Sequence, residues 1–377
     1  MRARLKKALL AIFVSGAMAA IFFQVGRAVA GTLFAPALSP SIASDNLQAF
    51  AALDPIDTHV HAFKTDPAIM DLLARLRLHV LDICVADSQR SFGGLGAEIA
   101  RAQSFVQASQ NHASLCVTFD PFIFEQKDFA QNTVKELRHE FADGAVAVKI
   151  WKNIGMELKT SDDRYVMPDD PIFEPIYRAI AADNKTLIAH VAEPSSCWEP
   201  PNPESPDYDY YNEHPEWYMY RHPDHPRKET ILAARDHLLA ENPKLRVVGA
   251  HLGSMETDVD EIAERLDRYP NFAVDTAARM EYLMIQPREK VRNFLIKYQD
   301  RVLYGTDLEF LAADATPDAL KDWQETYARD WKFLATNEML PYRGHRVEGL
   351  ALPEPVLRRI FHDNAVDWIP GIVGPAK

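Results

Sequence analysis

Ile56-Asp57-Thr58-His59-Val60-His61 closes a short apolar run that begins near Leu53. Side chains two apart on a strand project to the same side, so His59 and His61 can present two imidazoles to one point. Two imidazoles do not complete a metal site, and a His-x-His pair in a half-buried strand can equally be a hydrogen-bonded structural feature. Four later stretches bear on the choice, each a β-like run with a polar residue at or near its end. They bring Lys149 after Val146-Ala147-Val148, His190 after Leu187-Ile188-Ala189, His251 after Val247-Val248-Gly249-Ala250, and Asp307 after Val302-Leu303-Tyr304-Gly305-Thr306. Five such endings point to a site built from strand ends.

Outward from this stretch the chain alternates between two periodicities. Strands are expected near 54–59, 79–84, 114–118, 145–150, 186–190, 246–251, 272–275 and 301–305, and their apolar density fits strands covered on both faces. Helical spacing falls near 67–77, 97–111, 127–141, 172–183, 227–241, 256–268 and 288–299. Eight strands with intervening helices predict an α/β fold, a (β/α)8 TIM-like barrel. Its C-terminal strand ends share one mouth, where the sequence places His61, Lys149, His190, His251 and Asp307. Asp170-Pro171 opens one helix, and Ser254 or Thr257 is expected to cap the helix that carries Ile262 and Leu266. Residues 323–334 and 356–360 predict extra C-terminal helices outside the barrel or across its bottom. Residues 53–377 therefore read as one barrel domain.

His59 and His61 followed in order by His190, His251 and Asp307 resemble the amidohydrolase superfamily, and more narrowly its amidohydrolase-related branch of metal-dependent hydrolases and decarboxylases. The similarity runs from about Asp54 to Ile369. It implies that His59, His61, His190 and Asp307 hold one divalent ion, that Asp307 takes a proton from water, and that His251 orients or polarises the substrate. Such a ligand set suits zinc first, with manganese, iron or cobalt as alternatives. Lys149 leaves a two-metal site open. In relatives resembling phosphotriesterases a carboxylated lysine at the fourth strand bridges two ions, and His251 would then join the second. Unmodified, Lys149 is a cation that repels metal, and it would bind substrate or pair with Glu193 or Asp275.

The implied activity is hydrolysis of a small ester, lactone or amide, cyclic ones included, by a metal-activated water. Nonoxidative decarboxylation of a small carboxylic acid uses the same geometry and is the enzymatic alternative. An exported, noncatalytic metal-containing protein that binds a ligand is the alternative outside catalysis. Trp151 extends the pocket wall beside Lys149, together with Lys152. Glu193 lies three residues after His190 and faces the same region. Arg279 follows the seventh strand and is the candidate anchor for a substrate carboxylate, with a structural salt bridge as its competing role.

Residues 193–227 break the short-loop pattern with many prolines and with Trp198, Tyr208, Tyr210, Tyr211, Trp217, Tyr218 and Tyr220. Long loops of this kind act as lids or binding loops. Their aromatics wall a pocket for a small-molecule substrate, pack on one another, or meet a second subunit in a homo-oligomer. His214, His222 and His225 in this loop read as surface groups.

Arg2, Arg4, Lys6 and Lys7 precede an apolar run from Leu9 to Val25, and Ala28-Val29-Ala30 supplies a small-residue cleavage pattern. Residues 1–30 are expected to be a signal peptide, or an N-terminal membrane anchor if uncleaved, followed by a linker or arm over 31–52. The folded part is then exported, to the periplasm or another extracytoplasmic space. The chain has 41 basic and 54 acidic side chains; losing residues 1–30 removes five basic groups and no acidic ones, taking the charge from −13 to −18. That surface repels phosphate backbones, so nucleic acid is excluded as a partner. Three cysteines do not make a disulfide scaffold. Cys84 and Cys116 fall in strand-like runs, and Cys197 is expected to be the accessible one.

Overall fold

The strand β1 (Ile56–Ala62) has a parallel partner on each side, β2 (His79–Ile83) on one and β9 (Leu308–Phe310) on the other. This is a computed structural model, and it describes residues 47–89 and 93–373; the expected leader and residues 31–46 of the arm lie outside the described residues. From β2 the sheet continues in chain order. It runs through β3 (Ala113–Thr118), β4 (Ala147–Ile150), β5 (Thr186–Ala189), β6 (Arg246–Gly249), β7 (Phe272–Asp275) and β8 (Val302–Leu303), every pair parallel. Thr58 N donates to Tyr304 O at 2.9 Å and Asp307 N to His59 O at 2.8 Å, so residues 302–310 lead from β7 across to β1. The result is a curled parallel sheet, a distorted (β/α)8-type barrel. The expected eighth strand, 301–305, is reduced to Val302–Leu303, and beyond Asp307, whose left-handed φ of 64° an extended strand does not tolerate, the unexpected β9 resumes the pairing beside β1.

Helices α1 (Pro67–Arg75), α2 (Leu95–Ala108), α3 (Phe129–Ala142), α4 (Glu174–Ala182), α5 (Lys228–Glu241), α6 (Val259–Arg268) and α7 (Arg288–Lys297) fill the crossovers. Asp258 caps α6 by accepting from Asp260 N at 2.8 Å. The expected caps Ser254 and Thr257 do not serve: the Ser254 hydroxyl donates to Ala192 O, and the helix begins later than expected. Among the described residues no helix is long and apolar enough to cross a membrane.

The extra C-terminal helices are present. α8 (Thr316–Ala335) starts seven residues before the expected position 323 and brings Tyr327 against Phe50, ring centroids 5.4 Å apart. The last turns insert Ala365, Ile369 and Ile372 into the inner core with Ile56, Leu81, Cys116, Ile188 and Leu303. Ser114 and Thr186, at or near the starts of β3 and β5, donate their hydroxyls to Ile372 O and Trp368 O. This segment therefore closes the bottom of the barrel and leaves the opposite end as the mouth. A hairpin of β10 (Met339–Tyr342) and β11 (His345–Glu348) was not expected from the sequence.

Candidate metal centre

Backbone irregularities aim the side chains at the mouth. In β1 the pairing with β2 slips between Asp57 and Val60. Ile56 packs in the inner core while Val60 and Ala62 pack in the outer one, so His59 and His61 face inward together. Asp57 points away and holds the irregularity closed. Its carboxylate accepts from His59 N, from Thr306 N and Oγ1, and from Tyr327 OH at 2.9 Å on α8. Burial raises this carboxyl to about 7 against those hydrogen bonds. After β5, β6 and β7 the chain turns through left-handed Ala192, His251 with Leu252, and Ala278. Val248 and Ala250 already face the inner core, so plain alternation would send His251 outward; its φ of 60° re-aims it.

Three ligand atoms meet at one point. His59 Nε2 lies 3.4 Å and His61 Nε2 3.3 Å from Asp307 Oδ1. An ion bonded tetrahedrally at about 2.0–2.2 Å sets its ligand atoms about 3.3–3.6 Å apart, so the spacing fits one small divalent ion. The tautomers fit as well. His61 Nδ1 faces Ile83 O at 2.7 Å, an acceptor only, and His59 Nδ1 faces Asp275 Oδ2 at 2.9 Å. Each Nδ1 therefore keeps the proton and each Nε2 offers its lone pair. Burial raises Asp275 and Asp307, but contacts with the histidines outweigh it and hold both carboxyls below their ordinary range. His59, His251 and Asp275 form a second buried group with atoms close enough to share an ion. In the structure Asp275 serves both histidines, accepting from His251 N at 2.8 Å as well as from His59.

His190 stands apart from the His59–His61–Asp307 cluster and packs against His251, ring centroids 4.2 Å apart. Its Nε2 is buried with no hydrogen-bond partner among the described residues. His251 gives Nδ1–H to Ala277 O at 2.9 Å, and burial holds both imidazoles well below their ordinary pKa. Lys149 Nζ lies 3.0 Å from His59 Nε2 and pairs with neither Glu193 nor Asp275, which Lys152 and His59 occupy. Burial lowers the Lys149 pKa against the pull of Asp275 and Asp307. Its hydrogen bond uses the lone pair that an ion would use, so the two exclude each other at that nitrogen. A small recess lined by Thr118, Phe119, Trp151 and Ile154 opens beside Lys149.

Beyond the histidines lies a band of buried charge. Lys152 Nζ contacts Glu193 Oε1, donates to Tyr210 OH at 2.8 Å and lies 4.4 Å from the Trp217 ring centre. Arg279 donates Nη1 to Ala278 O, while its Nε is buried without a hydrogen-bond partner among the described residues. Glu193 and Asp207 stand 4.0 and 3.9 Å from it. Trp151 packs edge-on against Trp217 at 5.3 Å, and Tyr211 stacks on Tyr218 at 5.4 Å, so the long loop packs both on itself and on the pocket wall. Cys197 is buried, not accessible, with Sγ directed at Trp217 O. From sequence Asp275 is expected only as a partner for Lys149; its place on His59 and His251 is not, although Phe272-Ala273-Val274-Asp275 is another apolar run ending on a polar residue.

A family model described as Amidohydrolase matches residues 56–370. No curated protein matches the chain. Among solved structures the chain is similar to 2,6-dihydroxybenzoate decarboxylase from Rhizobium, with 12% identity over 84% of this chain and 98% of that one and a TM-score of 0.50. It is also similar to a probable 2-pyrone-4,6-dicarboxylic acid hydrolase from Acinetobacter baumannii, at 14% identity, 84% and 99% coverage and a TM-score of 0.45. A 4-oxalomesaconate hydratase from Rhodopseudomonas palustris gives 13% identity, 84% and 96% coverage and 0.47. At these identities the shared ground is the fold.

Proposed function

We propose, from the premise that this chain belongs to the amidohydrolase family of metal-dependent enzymes, that it catalyses nonoxidative decarboxylation of a small carboxylic acid. The observation that carries the reading is Arg279: a buried guanidinium near His190 and His251 whose Nε has no hydrogen-bond partner among the described residues. A carboxylate offers the paired acceptors that such an edge takes best. The fold likeness to a decarboxylase of an aromatic acid is in keeping with this choice. A divalent ion at His59, His61 and Asp307 would supply positive charge to hold a substrate oxygen and stabilise charge developing next to it.

The chain's own groups divide the remaining work. Arg279 orients the substrate, and Trp151 walls it. The bond from the carboxylate carbon to its neighbour breaks, carbon dioxide leaves, and the electron pair stays on the neighbouring carbon, which takes up one proton. That proton comes from solvent, and His251 is suited to relay it, taking it up on Nε2 and releasing it to the carbon while its Nδ1 stays committed to Ala277 O. Hydrolysis of a small ester, lactone or amide is the second reading, favoured by Asp307: an ionised carboxylate, 29% exposed, able to accept a proton from water.

Metal-replete protein assayed on a panel of small aromatic and unsaturated acids, lactones and amides, with carbon dioxide and acid release measured in parallel, separates the two. Carbon dioxide release that Asp307→Asn lowers at least about a hundredfold is expected. Acid release alone would replace decarboxylation by hydrolysis. Turnover of nothing on a broad panel, with ligand binding retained in parent and variant alike, would favour the noncatalytic reading.

A further inference from the structure

Glu193 stands between two cations, and only one of them holds it. Its Oε1 is in direct contact with Lys152 Nζ, whereas its Oε2 accepts from the neutral Tyr211 OH at 3.2 Å and lies 4.0 Å from Arg279 Nη2. Lys152 is 2% exposed, and its ammonium also reaches Tyr210 OH and the Trp217 ring. Asp207 is similarly diverted: it accepts from Tyr282 OH and Ser196 Oγ and remains 3.9 Å from Arg279 Nη1. Arg279 is thus flanked by two carboxylates that it does not hydrogen-bond.

We propose that Lys152 is a positioning residue that keeps Arg279 open for a substrate carboxylate. It does so by holding Glu193 off the guanidinium, and its contacts with Tyr210 and Trp217 fix the long loop in the same act. The inference rests on the reading of Arg279 as the anchor. Without Lys152 the buried Glu193 carboxylate would keep the neutral Tyr211 hydroxyl but no cation, and a buried charge without a counter-charge carries a large desolvation cost that drives it towards another cation. The other cation near Glu193 is Arg279, and a shift of about 1 Å would turn the present approach into a hydrogen-bonded pair. An incoming substrate would then have to displace an internal carboxylate before it could bind. Lys152 itself touches no substrate in this scheme; it acts through Glu193.

The test compares benzoate with its neutral analogue benzamide as probes, binding to the metal-loaded full chain measured by calorimetry. The parent is expected to prefer benzoate and Arg279→Gln to lose that preference. Lys152→Met should reduce the preference about tenfold. Joining it with Glu193→Gln should bring the preference back to within about threefold of the parent, because no carboxylate is left to capture Arg279. Glu193→Gln alone should bind benzoate at least as tightly as the parent, which keeps the test decisive even if Lys152→Met does not fold. Parent-like preference in Lys152→Met, no recovery in the double variant, or a loss in Glu193→Gln as large as in Lys152→Met would each overturn the proposal while leaving Arg279 in place. A preference that survives Arg279→Gln, or is absent from the parent, would remove the anchor and the proposal with it.

Discussion

His59 meets three groups at once: Asp275 at Nδ1, and both Lys149 Nζ and Asp307 Oδ1 near Nε2. Its proton is fixed on Nδ1 by Asp275, so that carboxylate decides whether a lone pair faces the ion at all. Asp275→Ala should therefore weaken metal binding by about 10–100-fold, measured by titrating metal-free protein against a competing chelator. Unchanged affinity would mean that Asp307 and His61 orient the site without Asp275. The residues named here differ in how far a sequence exposes them. His59, His61 and Asp307 were legible, because alternation and strand-end position are local properties of the chain. The companions of Lys149 and Glu193 were not. Their pairings depend on which of several nearby charges comes within hydrogen-bond reach, and residues 90 or 41 positions apart carry no mark of that in sequence.

At the level of elements, the strands were readable and their interruptions were not. Apolar runs placed all eight strand positions near where they occur, yet the slip in β1 and the left-handed turn at His251 depend on long-range contacts. Asp57 needs Thr306 and Tyr327, and His251 needs Asp275, to hold conformations that a strand would otherwise avoid. Gly249 shows the same dependence from the packing side. A Cβ there would stand 2.7 Å from the Phe272 ring at the start of β7 and 3.0 Å from Gly253 Cα in the turn that presents His251. Gly249→Ala is expected to cost about 1–3 kcal/mol of stability, read by denaturant unfolding. Turnover should fall further than the stability loss alone explains, because His251 moves with the turn. A variant that loses stability but keeps parent turnover would separate the turn from catalysis.

For the molecule as a whole, the two ends of the barrel carry different duties. The mouth gathers ionisable groups in strained backbone, while the bottom is sealed by apolar residues from the C-terminal segment and by hydrogen bonds from Asn364 to Gln299 O and Val302 O, both 2.7 Å. The sequence indicated the extra helices but not the reach of the final turns into the inner core, since a few apolar residues after Asn364 do not reveal which cavity they fill. This division follows the barrel rule that stability resides at the N-terminal strand ends and chemistry at the C-terminal ones. Ile369 is fully buried in the inner core, so Ile369→Ala should remove about 2–5 kcal/mol of unfolding free energy. Its side chain is far in the fold from His59, His61 and Asp307, so metal affinity and turnover at a temperature where the variant stays folded should remain within about twofold of the parent. Denaturant curves and metal titrations on the same preparation give both numbers. Turnover that falls while stability holds would mean that the plug communicates with the mouth, and the separation of the two ends would have to be given up.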